Sequence, residues 1–180
     1  RDPIVLASAI VMRLQTLVSR ESSPFDPSVV TVGAFHGGAK HNIIPDEVKL
    51  QLTVRSYSDE SRKLLLDGIK RIAMGEALAS GMPQDRMPEV TVDPVPAKAT
   101  WNTPAFTERM GTFFRARFGA ARVADVPPAM AGEDFGEFAR ADGNRINSLI
   151  FWVGGRPAEV IESAKRDGKL LHGLHSPFWA

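Results

Sequence analysis

Asn42 and Arg55 are the side chains of this chain best equipped to handle a small polar molecule. Asn42 sits in the turn Gly37-Gly38-Ala39-Lys40-His41-Asn42-Ile43-Ile44-Pro45, and Arg55 closes the run that begins at Val48. An amide donates to a carbonyl oxygen or an oxyanion, and a guanidinium takes a carboxylate through two parallel hydrogen bonds. The arrangement is expected to hold the two on neighbouring polar surface. A blander reading stands beside it: Asn42 adopts a left-handed turn conformation and Arg55 is a solvated charge at a strand end. Two further segments carry chemistry. Glu133 and Asp134 are adjacent carboxylates in Met130-Ala131-Gly132-Glu133-Asp134-Phe135, and His175 lies in Leu174-His175-Ser176-Pro177-Phe178. Paired carboxylates before an aromatic suit the first turn of a helix, where negative charge is favoured. A histidine in a loop is a candidate metal ligand. His172 is read as a non-ligand, because Gly173 opposes the helix that would put it on one face with His175.

Elements must position these groups. Val48, Leu50, Leu52 and Val54 alternate with Lys49, Gln51, Thr53 and Arg55, which predicts a strand with one buried face and Arg55 on the other. Residues 29–35 predict a second strand, and the loop between the two is long for a simple hairpin. Asp2 and Pro3 have the types that start a helix, expected over 3–19. Ser58, followed by Asp59 and Glu60, starts another, with Leu65, Ile69, Ile72 and Ala73 as its buried stripe and Gly81 and Pro83 ending it. A short strand is expected over 89–95. The order helix, strand, strand, helix, strand is that of a two-layer α/β sandwich with its helices on one sheet face.

Prolines and small residues break the periodicity over 95–102 and mark a boundary. Beyond it Thr103 is expected to cap a helix whose Phe106, Met110, Phe113, Phe114 and Phe118 form a core-packing stripe. Residues 132–134 open a short helix, 148–153 suit a central strand buried on both faces, and 157–166 suit a helix.

Composition narrows the function class. An apolar share of 43% with ten Phe and three Trp supports a packed core across 180 residues. No apolar run of membrane-spanning length and no signal peptide stands out. Zero cysteines removes disulfides and thiol catalysis. A net charge of +1 with mixed signs gives no electrostatic case for nucleic acid. A cytoplasmic protein without membrane or nucleic-acid partners is the expectation.

The three chemical segments, in this order, resemble the dinuclear-metal amidohydrolases and peptidases that include hippurate hydrolase, N-acyl-amino-acid amidohydrolases and carboxypeptidase G (peptidase family M twenty). Asn42-Ile43-Ile44-Pro45-Asp46 with Val54-Arg55 is similar to that family's Asn-Val-Ile-Pro-Asp and Val-Arg motif. Gly132-Glu133-Asp134-Phe135 is similar to its Gly/Ser-Glu-Asp-Phe motif, and His175-Ser176-Pro177 to its terminal His-Ser/Asn-Pro. Asp2-Pro3-Ile4 also fits its helix start. The resemblance covers nearly the whole chain.

It implies an α/β architecture in two parts: residues 1–95 as most of a lid, or dimerisation, domain, and residues 96–180 as a C-terminal portion of an α/β catalytic domain. It implies hydrolysis of the amide bond of N-acyl or N-aroyl amino acids, hippurate-like, or of small peptides, by water between two divalent ions, zinc or manganese. It assigns His175 as a metal ligand, Asn42 and Arg55 to the substrate carboxylate or oxyanion, and Glu133 and Asp134 to ordering the pocket. It leaves His36 and His41 as solvated loop residues. It implies a homodimer through the lid. The other ligands and the catalytic Glu of the family would lie before Arg1, and a final helix would follow Phe178. The chain is therefore expected to be truncated at both ends, to bind no metal by itself and to be inactive alone. The alternative is a non-catalytic α/β dimerisation or ligand-binding module. It accounts for residues 1–95 and gives no reason for the Gly-Glu-Asp-Phe and His-Ser-Pro segments.

Overall fold

The computed structural model describes residues 1–94, 97–143 and 145–179. Helix α1 spans Pro3–Thr16. Asp2 caps it, its Oδ1 accepting from the N–H groups of Ile4 at 2.8 Å and Val5 at 3.4 Å. Pro3 occupies the first turn, where its missing N–H leaves no hydrogen bond unmade. The helix runs on as a π-helical turn, Leu17–Glu21, closed by the Ser22 N–H on the Leu17 carbonyl at 2.8 Å. By length and composition Pro3–Glu21 is apolar enough to cross a membrane, which corrects the expectation that no such segment exists. Its apolar face has another use. Leu6, Ile10, Leu14 and Leu17 are all buried in the core of the first unit.

Strands β1 (Ser28–Gly37) and β2 (Val48–Ser56) pair antiparallel, as the alternation predicts. Val30 and Val32 face the helices together with Leu50, Leu52 and Val54. Val30 stands opposite Val54 and Val32 opposite Leu52. The register then shifts between Val32 and Ala34, so Gly33 is the extra residue of a β-bulge. Helix α2 (Asp59–Ala79) crosses the same sheet face. Leu65, Ile69, Ile72 and Ala73, its expected stripe, are all buried. Leu14, Leu17 and Leu65 are sealed from solvent, each contributing about 1.5–3 kcal/mol by burial. Gly68 lets α1 and α2 approach, since a Cβ there would lie 2.4 Å from Leu17 Cδ2.

The start of α2 is fastened to the loop before β1. Ser58 Oγ accepts from the Ser61 N–H at 3.0 Å and donates to Asp26 Oδ2 at 2.6 Å, and the Ser61 hydroxyl also donates to Asp26. These hydrogen bonds, that from Ser58 first, hold the Asp26 carboxyl below its usual pKa. A carboxyl depressed in the fold stabilises it above the unfolded-state pKa of about 3.9, and that stabilisation disappears as pH falls through the lower folded value. In acid titrations followed by circular dichroism, Asp26→Asn is expected to remove part of the stability lost below about pH 4. An unchanged acid limb would show that Asp26 contributes nothing to it.

Residues 89–94 form no strand, and Val95 lies outside the described residues. Pro88 and Pro94 bracket the stretch without N–H donors, and Val90 packs on the helical core instead of extending the sheet. Among the described residues the sheet has two strands, β1 and β2.

Helix α3 spans Pro104–Phe118, but none of its residues is buried. The core-packing reading of its aromatic stripe is therefore corrected. Phe113 and Phe118 are half exposed, and the rings pack on one another, Phe113 on Phe114 and Phe114 on Phe118, at about 6 Å. Thr103 does not cap the helix through its side chain. Its Oγ1 accepts from the Ser148 N–H at 3.0 Å, and its own N–H donates to the Ser148 carbonyl at 2.8 Å. Helix α4 (Gly136–Ala141) begins a little after the expected 132–134.

The stretch 148–153 forms no strand, and Phe151, Trp152 and Val153 are exposed. An apolar run becomes a central strand only between two neighbouring strands, and the described residues supply none there. Helix α5 (Ala158–Arg166) forms as expected. By internal contacts the chain divides into Arg1–Ser148 and Leu149–Ala180.

Candidate functional site

Asn42 is carried by the loop 38–47 between β1 and β2. Two glycines shape its entry. Gly37 faces Val48, where a Cβ would lie 2.5 Å from Val48 Cγ2, and Gly38 has φ of +76°. The Ile43 N–H closes a turn on the Lys40 carbonyl at 3.3 Å. Asn42 is exposed at the tip, with Ile43 and Ile44 exposed beside it. His41 is exposed in the same loop, and His36 is exposed on β1 opposite Lys49.

Arg55 stands opposite Val29, on the sheet face away from the helices, as its parity in the strand requires. It is half buried, and its Nη1 donates to the Met130 carbonyl. Asn42 precedes Val48 at one end of β2, and Arg55 closes the other end. Seven residue steps at about 3.3 Å each place Val48 and Arg55 roughly 23 Å apart. Alternation determines which face a side chain takes, and strand length determines how far apart two such side chains stand.

What the structure does bring together is Arg55 and Met130, two residues before the Gly-Glu-Asp-Phe segment. Glu133 and Asp134 are both exposed. The Glu133 carbonyl accepts from Thr100 Oγ1 at 3.3 Å, and the Asp134 carbonyl accepts from the Glu137 N–H at 2.9 Å. Tyr57, two residues beyond Arg55, packs its ring on Trp101 with centroids 6.2 Å apart. The end of β2 is thus joined both to 99–101 and to 130–136. Thr100, Trp101 and Arg140 take part in this junction and were not candidates from the sequence, since no motif or periodicity links positions so far apart.

His175 belongs to the second unit. It is exposed and holds φ of +69°, the one non-glycine residue with positive φ among those described. Such a conformation costs about 1–3 kcal/mol and persists where surroundings impose it, commonly at functional sites. The turn that follows is closed by the Trp179 N–H on the Ser176 carbonyl at 3.0 Å and by the Phe178 N–H on Ser176 Oγ at 3.2 Å. Arg156 braces the segment within the same unit, donating to the His172 carbonyl at 2.7 Å and lying 4.2 Å above the Trp179 ring. His172 packs its own ring on Phe178 at 5.3 Å. Among the described residues no three His, Cys, Asp or Glu side chains are grouped to hold an ion. A divalent centre needs four or more donors, so the donors of this chain by themselves do not fit one.

A two-stranded sheet under two helices, ending in a junction with a carboxylate-bearing segment, defines a lid-type α/β domain. Residues 1–80 match the family described as the peptidase dimerisation domain. The chain is homologous to amidohydrolases of peptidase family M twenty. It is 33% identical over 179 residues to N-acetyldiaminopimelate deacetylase of Leuconostoc mesenteroides, covering 98% of this chain and 44% of that protein. It is 32% identical over 164 residues to the Bacillus subtilis protein of that name, covering 91% and 41%. The chain also resembles a solved structure from methicillin-resistant Staphylococcus aureus, described as an aminohydrolase, with a TM-score of 0.58 and 31% identity over 78% of this chain and 35% of that one. It spans less than half the length of the curated relatives it matches.

Proposed function

We propose that this chain is the lid and a C-terminal portion of a metal-dependent amidohydrolase that removes the acyl group from an N-acyl amino acid. The observation that carries the reading is the hydrogen bond from Arg55 to the Met130 carbonyl, which ties the end of β2 to the backbone two residues before the Gly-Glu-Asp-Phe segment. The similarity to N-acetyldiaminopimelate deacetylases favours a small acetyl group over the hippurate-like aroyl group that the motifs alone allow.

In this reading the division falls between 95 and 96, with the lid before it. His175 contributes one ligand to a divalent centre, zinc or manganese, whose other ligands come from outside this chain. The ions supply a polarised carbonyl and an activated water. Asn42 donates its amide N–H to the carbonyl oxygen as negative charge develops there. Glu133 and Asp134 order the wall of the pocket. Arg55 spends one of its five N–H donors on Met130 and offers the rest to a substrate carboxylate. Asn42 lies in the loop that enters β2 and Arg55 near its exit, and in this reading both grip the substrate, with a second copy of the lid completing the pocket. A two-stranded sheet leaves one edge of each strand unpaired, which suits a homodimer formed through the lid. The apolar face of α1 is used up in the lid core, in keeping with a soluble cytoplasmic enzyme.

The test is hydrolysis. The complete protein, given zinc or manganese, is expected to release acetate from N-acetyl amino acids. The 180-residue chain alone is expected to release none, because it supplies one ligand. Turnover by the isolated chain would overturn the ligand assignment. His175→Gly is expected to relieve the left-handed strain, leaving stability unchanged or raising it by about 1 kcal/mol, while abolishing activity of the complete protein. Calorimetry and the same assay read both effects, and retained activity would remove His175 from the ligand set.

A further inference from the structure

We infer that Arg140 is a positioning residue: it clamps the 130–136 segment to the end of the lid sheet and so determines where the carboxylates of Glu133 and Asp134 stand. This rests on the amidohydrolase reading for its catalytic consequence, but not for its geometry. Arg140 Nη1 donates to the Ala99 carbonyl at 2.9 Å. Its Nε and Nη2 both reach Glu137 Oε1, at 3.1 and 2.5 Å. One planar guanidinium therefore joins α4 to the chain just after the lid, a geometry that a point-charge ammonium does not reproduce. The Glu137 carboxyl is held below its usual pKa, by the Arg140 hydrogen bond first, with the Lys98 backbone N–H also contributing. Two neighbouring strands of chain, 98–100 and 133–140, are thus crossed by several bonds. Thr100 Oγ1 adds the bond to the Glu133 carbonyl.

The packing under the clamp is tight. Gly136 is buried, and a Cβ there would lie 2.7 Å from Thr100 Oγ1 and 2.9 Å from the Arg140 guanidinium nitrogens. A side chain at this position would force the Thr100 hydroxyl and the Arg140 guanidinium to move. On the opposite side Arg55 holds the Met130 carbonyl. The Gly-Glu-Asp-Phe segment is consequently pinned before Glu133 by the lid strand and after Asp134 by Arg140. Neither carboxylate is used in the pinning, so both remain available to the pocket.

Backbone order parameters by nuclear magnetic resonance test this directly on the chain. Residues 131–135 are expected to be rigid in the wild type, with S² near 0.85, and to fall below about 0.6 in Arg140→Gln. Buried positions of α2, such as Leu65 and Ala77, are expected to keep their values, which separates loss of the clamp from unfolding. Arg140→Lys is expected to mobilise the segment as Gln does, since it keeps the charge and loses the fork. Thr100→Val, a milder change, is expected to give an intermediate value. Unchanged order in 131–135 on Arg140→Gln, or full rescue by Lys, would overturn the inference. In the complete protein the same Arg140→Gln is expected to lower kcat about tenfold or more with KM within about twofold, because orientation and not binding is lost. An inactive wild-type protein would sink the amidohydrolase reading and leave the order-parameter result to decide the clamp.

Discussion

Asn42→Ala in the complete protein is expected to lower kcat by about 10²–10³-fold, the cost of removing one donor to a developing oxyanion. The loop supports this size of effect. Asn42 is exposed at the tip of a turn shaped by Gly37 and Gly38. The fold should therefore survive the change, and kcat should fall without loss of stability. The position of Asn42 adds a sharper expectation. It lies in the loop that enters β2, and in the proposed homodimer that loop would serve the site whose His175 belongs to the other protomer. Mixing Asn42→Ala protein with His175→Ala protein is then expected to restore about a quarter of wild-type activity, since half the dimers are mixed and each carries one intact site in a two-fold assembly. No recovery on mixing would place Asn42 and His175 in the same protomer's site. A rise in KM with kcat unchanged would assign Asn42 to ground-state binding.

Gly68→Ala is expected to destabilise the chain by about 1–3 kcal/mol, the usual cost of forcing an extra carbon into a packed core. Helix propensity alone predicts the opposite sign, a gain of about 1 kcal/mol on replacing glycine in a helix interior. Packing wins because the new Cβ would meet Leu17 Cδ2 at 2.4 Å, and Leu17 is completely buried in the core. Gly75, about two helical turns further along α2, has open space around its missing Cβ and is exposed. Gly75→Ala is therefore expected to stabilise by about 0.5–1 kcal/mol. The pair is read by denaturant melts on the same chain, and the two substitutions should shift the midpoint in opposite directions. Equal shifts would mean that α1 and α2 do not meet at Gly68. Leu17→Ala combined with Gly68→Ala should cost less than the sum of the single changes, because the smaller side chain makes room for the methyl.

The lid was largely legible from its residues. Asp2 and Ser58 announced their helices because a cap is decided within one turn, by a side chain and the N–H groups next to it. Leu65, Ile69, Ile72 and Ala73 announced a buried face because 3.6-residue periodicity is local too. The same kind of reasoning misread residues 89–94 and 148–153. Each has the apolar content of a strand, but a strand exists only where another supplies ladder partners, and content says nothing of partners. The stripe of α3 was misread for the related reason that an apolar face needs a second surface to be buried against.

The candidate site divides along the same line. Residue types and alternation were enough to put Arg55 on the polar sheet face, Asn42 in an exposed turn and His175 in a loop, since each depends on a few consecutive residues. Three facts needed the folded chain. The length of β2 sets Val48, where the Asn42 loop ends, and Arg55 near opposite ends of one strand. Arg55 reaches Met130, 75 positions away, and Arg140 reaches Ala99, 41 positions away. Propensity, parity and capping act over a turn or a strand, whereas such contacts arise only when packing of α1 and α2 on the sheet has set the path of everything that follows.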